Sequence, residues 1–140
     1  MIILACDHAG FDYMQKLMGF FDKFKMEYKY MGPKEYNGDD DYPDFIHPAA
    51  QEVLKDEDNC GIFMCGSGAG ANMVANRYKG IRAICASDPV EAFFARKDED
   101  SNVLTIGSRF VSFRKVIKII QTFLTTEFEG GRHARRIAKY

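Results

Sequence analysis

Five short runs rich in apolar and aromatic residues, each followed by a stretch with helical periodicity, set the tightest limit on what this chain can fold into. The runs are Ile2–Ala5, Glu27–Met31, Gly61–Met64, Ile81–Ala86 and Val103–Ile106, each of strand length and too short for a helix. Helices are expected from Phe11 to about Lys25, His47 to about Lys55, Ala71 to Tyr78, Pro89 to about Arg96 and Val111 to about Thr125. In the first, Phe11, Met14, Leu17, Met18, Phe21 and Phe24 recur at one-turn spacing, and in the last Val116, Ile117, Ile120, Phe123 and Leu124 do so. Met73, Val74 and Tyr78 supply an inner face for the third. Such alternation implies right-handed crossovers between parallel strands, with helices on both sheet faces. The expected fold class is α/β, a three-layer, Rossmann-like doubly wound fold with a five-stranded parallel sheet, and one domain spans residues 1–140.

That architecture fixes where chemistry can sit, because ligands of doubly wound sheets gather beyond the carboxyl ends of the strands. Asp7 and His8 follow the first run, Cys65 to Gly70 the third, Ser87 and Asp88 the fourth, and Gly107 to Arg109 the fifth. They are expected to share one rim. Gly32–Pro48, the longest irregular segment, is a candidate lid or interface element.

Composition narrows the partners. A formal net charge of -1 gives no long-range pull towards nucleic acid or anionic membrane, so any anion site must be local. No apolar segment approaches the roughly 20 residues needed to cross a bilayer, and Met1–Ala5 runs straight into Asp7 and His8, unlike a signal peptide. A cytoplasmic protein is expected, and with it four free thiols at Cys6, Cys60, Cys65 and Cys85. The histidines at 8, 47 and 133 are scattered and none stands at ligand spacing from a cysteine, so no metal is expected. The Asp39-Asp40-Asp41 run lacks the alternation and terminal Glu of a calcium loop and reads as a solvated turn.

One stretch carries chemistry: Cys65-Gly66-Ser67-Gly68-Ala69-Gly70-Ala71-Asn72. It places a thiol at a strand end, ahead of a glycine turn that opens a helix. The N–H groups of such a turn and of a first helical turn have no internal acceptors and concentrate positive charge. They can hold an oxyanion, and the same field favours a thiolate, which can take a proton. No Gly-Lys-Ser/Thr follows, and the third glycine of a dinucleotide fingerprint is missing. The plainer alternative is a tight strand-to-helix turn beside a small buried cysteine.

Cys6-Asp7-His8-Ala9-Gly10, Asp41-Tyr42-Pro43, Cys65 to Gly70 with Ala75-Asn76, Gly80-Ile81-Arg82-Ala83, Asn102-Val103-Leu104 with Gly107-Ser108-Arg109, and Glu129-Gly130-Gly131-Arg132-His133 with Arg136 follow one another in this order. In that combination the chain resembles the B-type ribose-5-phosphate isomerases and the related galactose-6-phosphate isomerase subunits, over nearly its whole length. The resemblance implies aldose–ketose interconversion through an enediolate, most simply ribose 5-phosphate to ribulose 5-phosphate in the pentose phosphate pathway, without metal or cofactor. It implies Cys65 as the base between C2 and C1, and Gly66, Ser67, Gly68, Ala69 and Gly70 as the oxyanion turn. Asp7 would meet sugar hydroxyls or the ring oxygen, Tyr42 would lie near the sugar, and His8, Arg109, Arg132 and Arg136 would surround the phosphate. It also implies sites shared between two subunits, in a homodimer or dimer of dimers. Each residue has a plainer reading beside this one: Asp7 as a helix cap, His8 as a satisfied strand-end histidine, Tyr42 packed on Pro43, and the arginines as a solvated helix end.

One segment departs from the resemblance. The ribose enzymes usually carry a histidine and then an asparagine after the fourth helix, the histidine assisting ring opening; here Asp98 and Glu99 stand there. An ordinary carboxylate is ionised at pH 7, accepting a proton readily and donating one rarely. Three routes stay open. Asp98, crowded by Glu99 and Asp100, retains a proton to donate; or it takes the anomeric proton while another group protonates the ring oxygen; or the ring opens unaided or the sugar differs. Some galactose-6-phosphate isomerase subunits carry an acidic residue near here, which keeps a hexose 6-phosphate, or a non-catalytic sugar-phosphate binder, among the readings. Asp98 as a simple helix-end cap is the remaining one.

Overall fold

The computed structural model describes all 140 residues. Its strands are β1 (Ile2–Cys6), β2 (Tyr28–Tyr30), β3 (Cys60–Cys65), β4 (Ala83–Cys85) and β5 (Val103–Gly107). Its helices are α1 (His8–Lys23), α2 (Tyr42–Val53), α3 (Ala69–Ala75), α4 (Pro89–Glu99), α5 (Phe113–Thr125) and α6 (Arg132–Ile137). All strand pairs are parallel, in the order β2-β1-β3-β5-β4. This is the doubly wound α/β sheet that the alternation predicts.

The pleat divides the core into two layers. Leu4, Cys6, Ile62, Met64, Leu104 and Ile106 face α1 and α5, where Met14, Leu17, Phe21, Val116, Ile120 and Phe123 pack on them. Ile3, Ala5, Phe63, Cys65 and Val103 point to the other face, against Ile46, Ala49, Ala50 and Val53 of α2 and Ala71 and Ala75 of α3. The chain therefore leaves β1 along one face, returns to β3 along the other, and reverses its winding between β1 and β3. A crevice opens at such a reversal beyond the strands' carboxyl ends.

Local chemistry explains where the elements depart from expectation. α1 starts at His8 because the Asp7 carboxylate accepts the Gly10 N–H at 3.0 Å, a cap worth about 1 kcal/mol. α2 starts at Tyr42, five residues before His47: Pro43 sits in the first turn, where its missing N–H costs nothing. α3 stops at Ala75, and Met73, expected inside, is 69% exposed, because alanines are what fill the narrow gap between this helix and the sheet. α4 runs to Glu99, held at its start by a capping box of Asp88 and Glu91. Ser87 and Asp88 on the rim are thus tied into helix initiation. The edge strand β4 is only three residues long, and the Asn76 amide pairs with both backbone groups of Ala83 in place of a further strand. The short helix α6 is absent from the expectation; Gly130 and Gly131, both at positive φ, turn the chain into it.

Gly10 and Gly19 lie on the same helix in opposite circumstances. A Cβ on Gly10 would meet Met64 Cβ and its carbonyl oxygen at 2.8 Å, whereas one on Gly19 would meet nothing within 4 Å. Gly10→Ala should therefore cost about 1–3 kcal/mol by overpacking, and Gly19→Ala should add about 0.5–1 kcal/mol from helix propensity. Paired denaturant titrations check both; equal effects would mean that α1 does not approach β3 this closely.

Candidate active site

The rim is built by three strand ends knotted together. The Ser108 hydroxyl, just past β5, reaches the Ala9 carbonyl at 2.6 Å and the Cys65 carbonyl at 3.3 Å, and its N–H donates to Cys65 at 3.0 Å. Arg109 N–H donates to the Gly66 carbonyl at 3.1 Å. The side chain of Arg109 lies over the same turn, since a Cβ on Gly66 would sit 2.9 Å from its Cζ. On the other flank the Tyr42 ring lies over Gly70, whose Cβ would be 2.7 Å from Tyr42 Cζ.

Cys65 ends β3 and is 3% exposed. Its Sγ accepts the Gly68 N–H at 3.2 Å, so a backbone dipole is aimed at the sulfur from the turn. Gly68 has φ +78, and a Cβ there would collide with Cys85 Sγ at 2.7 Å and with the Gly107 N at 2.8 Å, so only glycine fits. Ala69 N–H donates to Ser67 Oγ at 3.3 Å, closing the turn ahead of α3. The arrangement offers an oriented sulfur and a run of amide donors beside it, the two components needed to remove a carbon-bound proton and to stabilise the oxygen charge that results.

At the end of β1, Asp7 is 5% exposed and burial pushes its carboxyl above the usual range. Its helix-capping role is realised. His8 is fixed by Asp40, whose Oδ1 accepts both the His8 backbone N–H at 2.9 Å and the ring Nδ1 at 2.6 Å. That hydrogen bond raises the His8 pKa. Asp40 is therefore no solvated turn residue as its sequence neighbourhood suggests; its side chain is 7% exposed, packed beneath the imidazole. Nothing local distinguishes it from Asp39 and Asp41, because the contact spans 32 residues.

The remaining candidate residues lie at the other pole. α4 returns from the carboxyl end of β4 to the amino end of β5, carrying Asp98 and Glu99 in its last turn away from Cys65. α6 packs there. Asp98 Oδ1 lies 3.7 Å from Nε2 of the buried His133, to which Arg132 Nε also donates at 3.3 Å. Arg132 and Arg136 are exposed. Glu99 accepts the Tyr140 hydroxyl at 2.5 Å, and Asp100 is paired with Arg82 and Arg96 at 2.8 and 3.1 Å. The three consecutive carboxylates do not crowd one another as expected; each is turned to its own partner. Lys97 and Glu129 form a 2.7 Å ion pair that lowers the Glu129 pKa and raises that of Lys97.

Within one chain, then, Asp7, His8, Tyr42, Cys65 to Gly70 and Arg109 come together, while Asp98, Glu99, Arg132 and Arg136 form a second group. Two hollows, of about 750 and 510 Å³, lie near the amino pole and the β4 edge; the second includes Asp98 and Glu99, and neither reaches Cys65. Two trios, Asp7-His8-Asp40 and Asp98-Glu129-His133, place ligand-type atoms within 4.8 Å of one another. Neither is arranged as a cation cage: His8 hydrogen bonds occupy Asp40 Oδ1, and Lys97 and Arg132 already supply positive charge to the second trio.

This geometry coincides with strong similarity to known proteins. The sequence profile of the family described as Ribose/Galactose Isomerase matches residues 2–140, and the chain belongs to that family. It is 39% identical to a probable ribose-5-phosphate isomerase B of Mycoplasma pneumoniae, over 99% of this chain and 91% of that protein. It is 34% identical to ribose-5-phosphate isomerase B of Escherichia coli, over 97% and 91%. Among solved structures, ribose-5-phosphate isomerase B of Mycoplasma genitalium with bound ribulose-5-phosphate superposes with a TM-score of 0.94 at 39% identity, covering 99% of this chain and 91% of that one.

All four cysteines are free, in graded environments: Cys6 and Cys65 are buried, Cys60 is half-buried and Cys85 is exposed. A bulky maleimide should label Cys85 first in the native protein, Cys65 far more slowly and Cys6 only on unfolding. Peptide mass spectrometry reads the order; labelling of Cys65 as fast as Cys85 would contradict the burial of its sulfur.

Proposed function

We propose that residues 1–140 form a single sugar-phosphate isomerase domain that interconverts ribose 5-phosphate and ribulose 5-phosphate without a cofactor, in the cytoplasm. The observation that carries this reading is the Gly68 N–H directed at Cys65 Sγ within a turn of amide donors, at the winding reversal of the sheet. Similarity to the Mycoplasma genitalium enzyme crystallised with ribulose-5-phosphate supports the choice of sugar.

In this reading the Cys65 thiolate takes the proton from C2 of the open-chain aldose, and the electron pair moves into a C1–C2 enediolate. The turn from Gly66 to Gly70 holds the developing oxyanion; one such donor is worth about 3–4 kcal/mol of barrier. A proton passes between the two oxygens, and the cysteine returns its proton to C1. Asp7 meets the sugar hydroxyls and Tyr42 walls the sugar. The phosphate is gripped by His8 and Arg109, and by Arg132 and Arg136 of a second copy, because one chain carries those two groups at opposite poles. The same pairing brings Asp98 and Glu99 to the sugar, as homodimer or dimer of dimers, and encloses a rim that neither of those two hollows reaches.

Asp98 and Glu99, where the ribose enzymes usually have histidine and asparagine, favour a second reading, a hexose 6-phosphate isomerase. An assay across five- and six-carbon aldose phosphates decides between the sugars; binding without any ketose formation would make the chain a non-catalytic binder.

Cys65→Ala should all but abolish turnover, by roughly 10²–10⁴-fold for loss of the acid–base group, while circular dichroism and melting stay near those of the unaltered chain. Near-normal rates in that variant would remove the sulfur from the mechanism. Asp98→His should raise kcat on ribose 5-phosphate if ring opening limits the rate; an unchanged kcat would show that it does not.

A further inference from the structure

Asp40 is the one acidic side chain of the Gly32–Pro48 segment that is buried beneath the rim, and it spends a single oxygen on one neighbour. Its Oδ1 takes the His8 backbone N–H and the ring Nδ1 together, which fixes both the position of the residue and the rotation of its imidazole. The other ring nitrogen, Nε2, has no partner in the chain, and the His8 side chain is 27% exposed above a carboxylate that is 7% exposed. Asp40 Oδ2 is buried with no hydrogen bond of its own. A buried carboxylate left without a charged neighbour is costly, so the pair is most stable with the imidazole as a cation.

We propose that Asp40 is a positioning residue for the phosphate grip: it holds His8 by main chain and ring so that Nε2 is presented as a charged donor to the sugar phosphate. This rests on the isomerase reading for the identity of the ligand, though not for its phosphate. The groups facing His8 are the Asp40 and Asp7 carboxylates and the edge of the Tyr36 ring, centroids 6.4 Å apart. Beyond Asp40 lie Cys6, which burial pushes up to about 12, and Tyr30, which burial also pushes up, so both stay neutral and leave the carboxylate's charge to act on the imidazole. Asp40 raises the pKa of His8, so the cationic contact is fully present below about pH 6.5, the ordinary value, and is lost only as pH rises through the raised one. A phosphate monoester becomes a dianion near pH 6. Between these limits a doubly charged phosphate meets a charged histidine, and removal of Asp40 closes that window from above.

The test is the His8 ring titration, followed by NMR in the full-length chain and in Asp40→Asn, with and without inorganic phosphate. Asparagine retains an oxygen acceptor and removes the charge. The midpoint should fall in Asp40→Asn, phosphate should perturb the His8 signal in the unaltered chain, and KM for ribose 5-phosphate at pH 7.5 should rise about tenfold, more than kcat falls. In a His8→Gln background, Asp40→Asn should change KM no further. An unchanged midpoint, a His8 signal indifferent to phosphate, or a full KM effect surviving in His8→Gln would overturn the proposal. Should Asp40→Asn fail to fold, Asp40→Ser serves the same comparison. Absence of turnover on every aldose phosphate would defeat the isomerase reading, and the midpoint and phosphate response would still decide this one.

Discussion

Three parallel strands end within reach of one serine, and the rest of the rim is arranged around that point. Ser108 joins the carbonyls of Ala9 and Cys65, so the first turn of α1 and the end of β3 are held against the exit of β5. Because the residues joined are up to 99 positions apart, the rim forms only when the sheet is complete. The knot also sets the path of the glycine turn. With Cys65 fixed by its carbonyl and Gly68 pressed against Gly107 and Cys85, the intervening residues have one route, and that route sends an amide to the sulfur. Preorganisation of this kind gives a site its electrostatic strength, since the dipoles need not reorient as charge develops.

The second organising fact is the separation of two clusters of charged side chains along the sheet axis. Winding puts the cysteine turn, Asp7, His8 and Arg109 at the carboxyl pole, and the ends of α4 and α6, with Asp98, Arg132 and Arg136, at the amino pole. The second group is structurally supported: His133 is buried against Asp98 and Arg132, and Lys97 pairs with Glu129. In the proposed enzyme, a chain with two such half-sites completes its phosphate pocket by pairing with a copy of itself, in which each half meets its complement. Isologous association supplies that geometry twice per dimer.

How much of this was readable in advance follows from the range of each interaction. The parallel sheet and its two-sided core rest on period-2 and period-3.6 patterns, which are local, and Cys65 with its glycines rests on adjacent residues. Boundaries differ where one residue type serves two purposes: a proline such as Pro43 can open a helix, and Met73 is apolar yet faces outward because alanines suffice on the inner side. α6 was hidden because six residues carry no periodicity. Asp40 and His133 were beyond reach for a different reason, since both acquire their roles from partners distant in sequence. The resemblance implies candidate site residues and a site shared between subunits; the winding of the sheet gives the physical reason one chain holds the two groups at opposite poles.

In the proposed enzyme, one working site joins the Cys65 turn of one chain to the C-terminal guanidinium groups of another. Co-expression of Cys65→Ala with Arg132→Gln chains tests it directly, each variant being inactive or severely impaired alone. If sites are shared, mixed pairs contain one intact site and one doubly damaged site, and roughly a quarter of full activity should return, the share of intact sites on random pairing. Co-purified mixed pairs with no more activity than the two variants measured apart would contradict the shared site and return the phosphate grip to residues of a single chain.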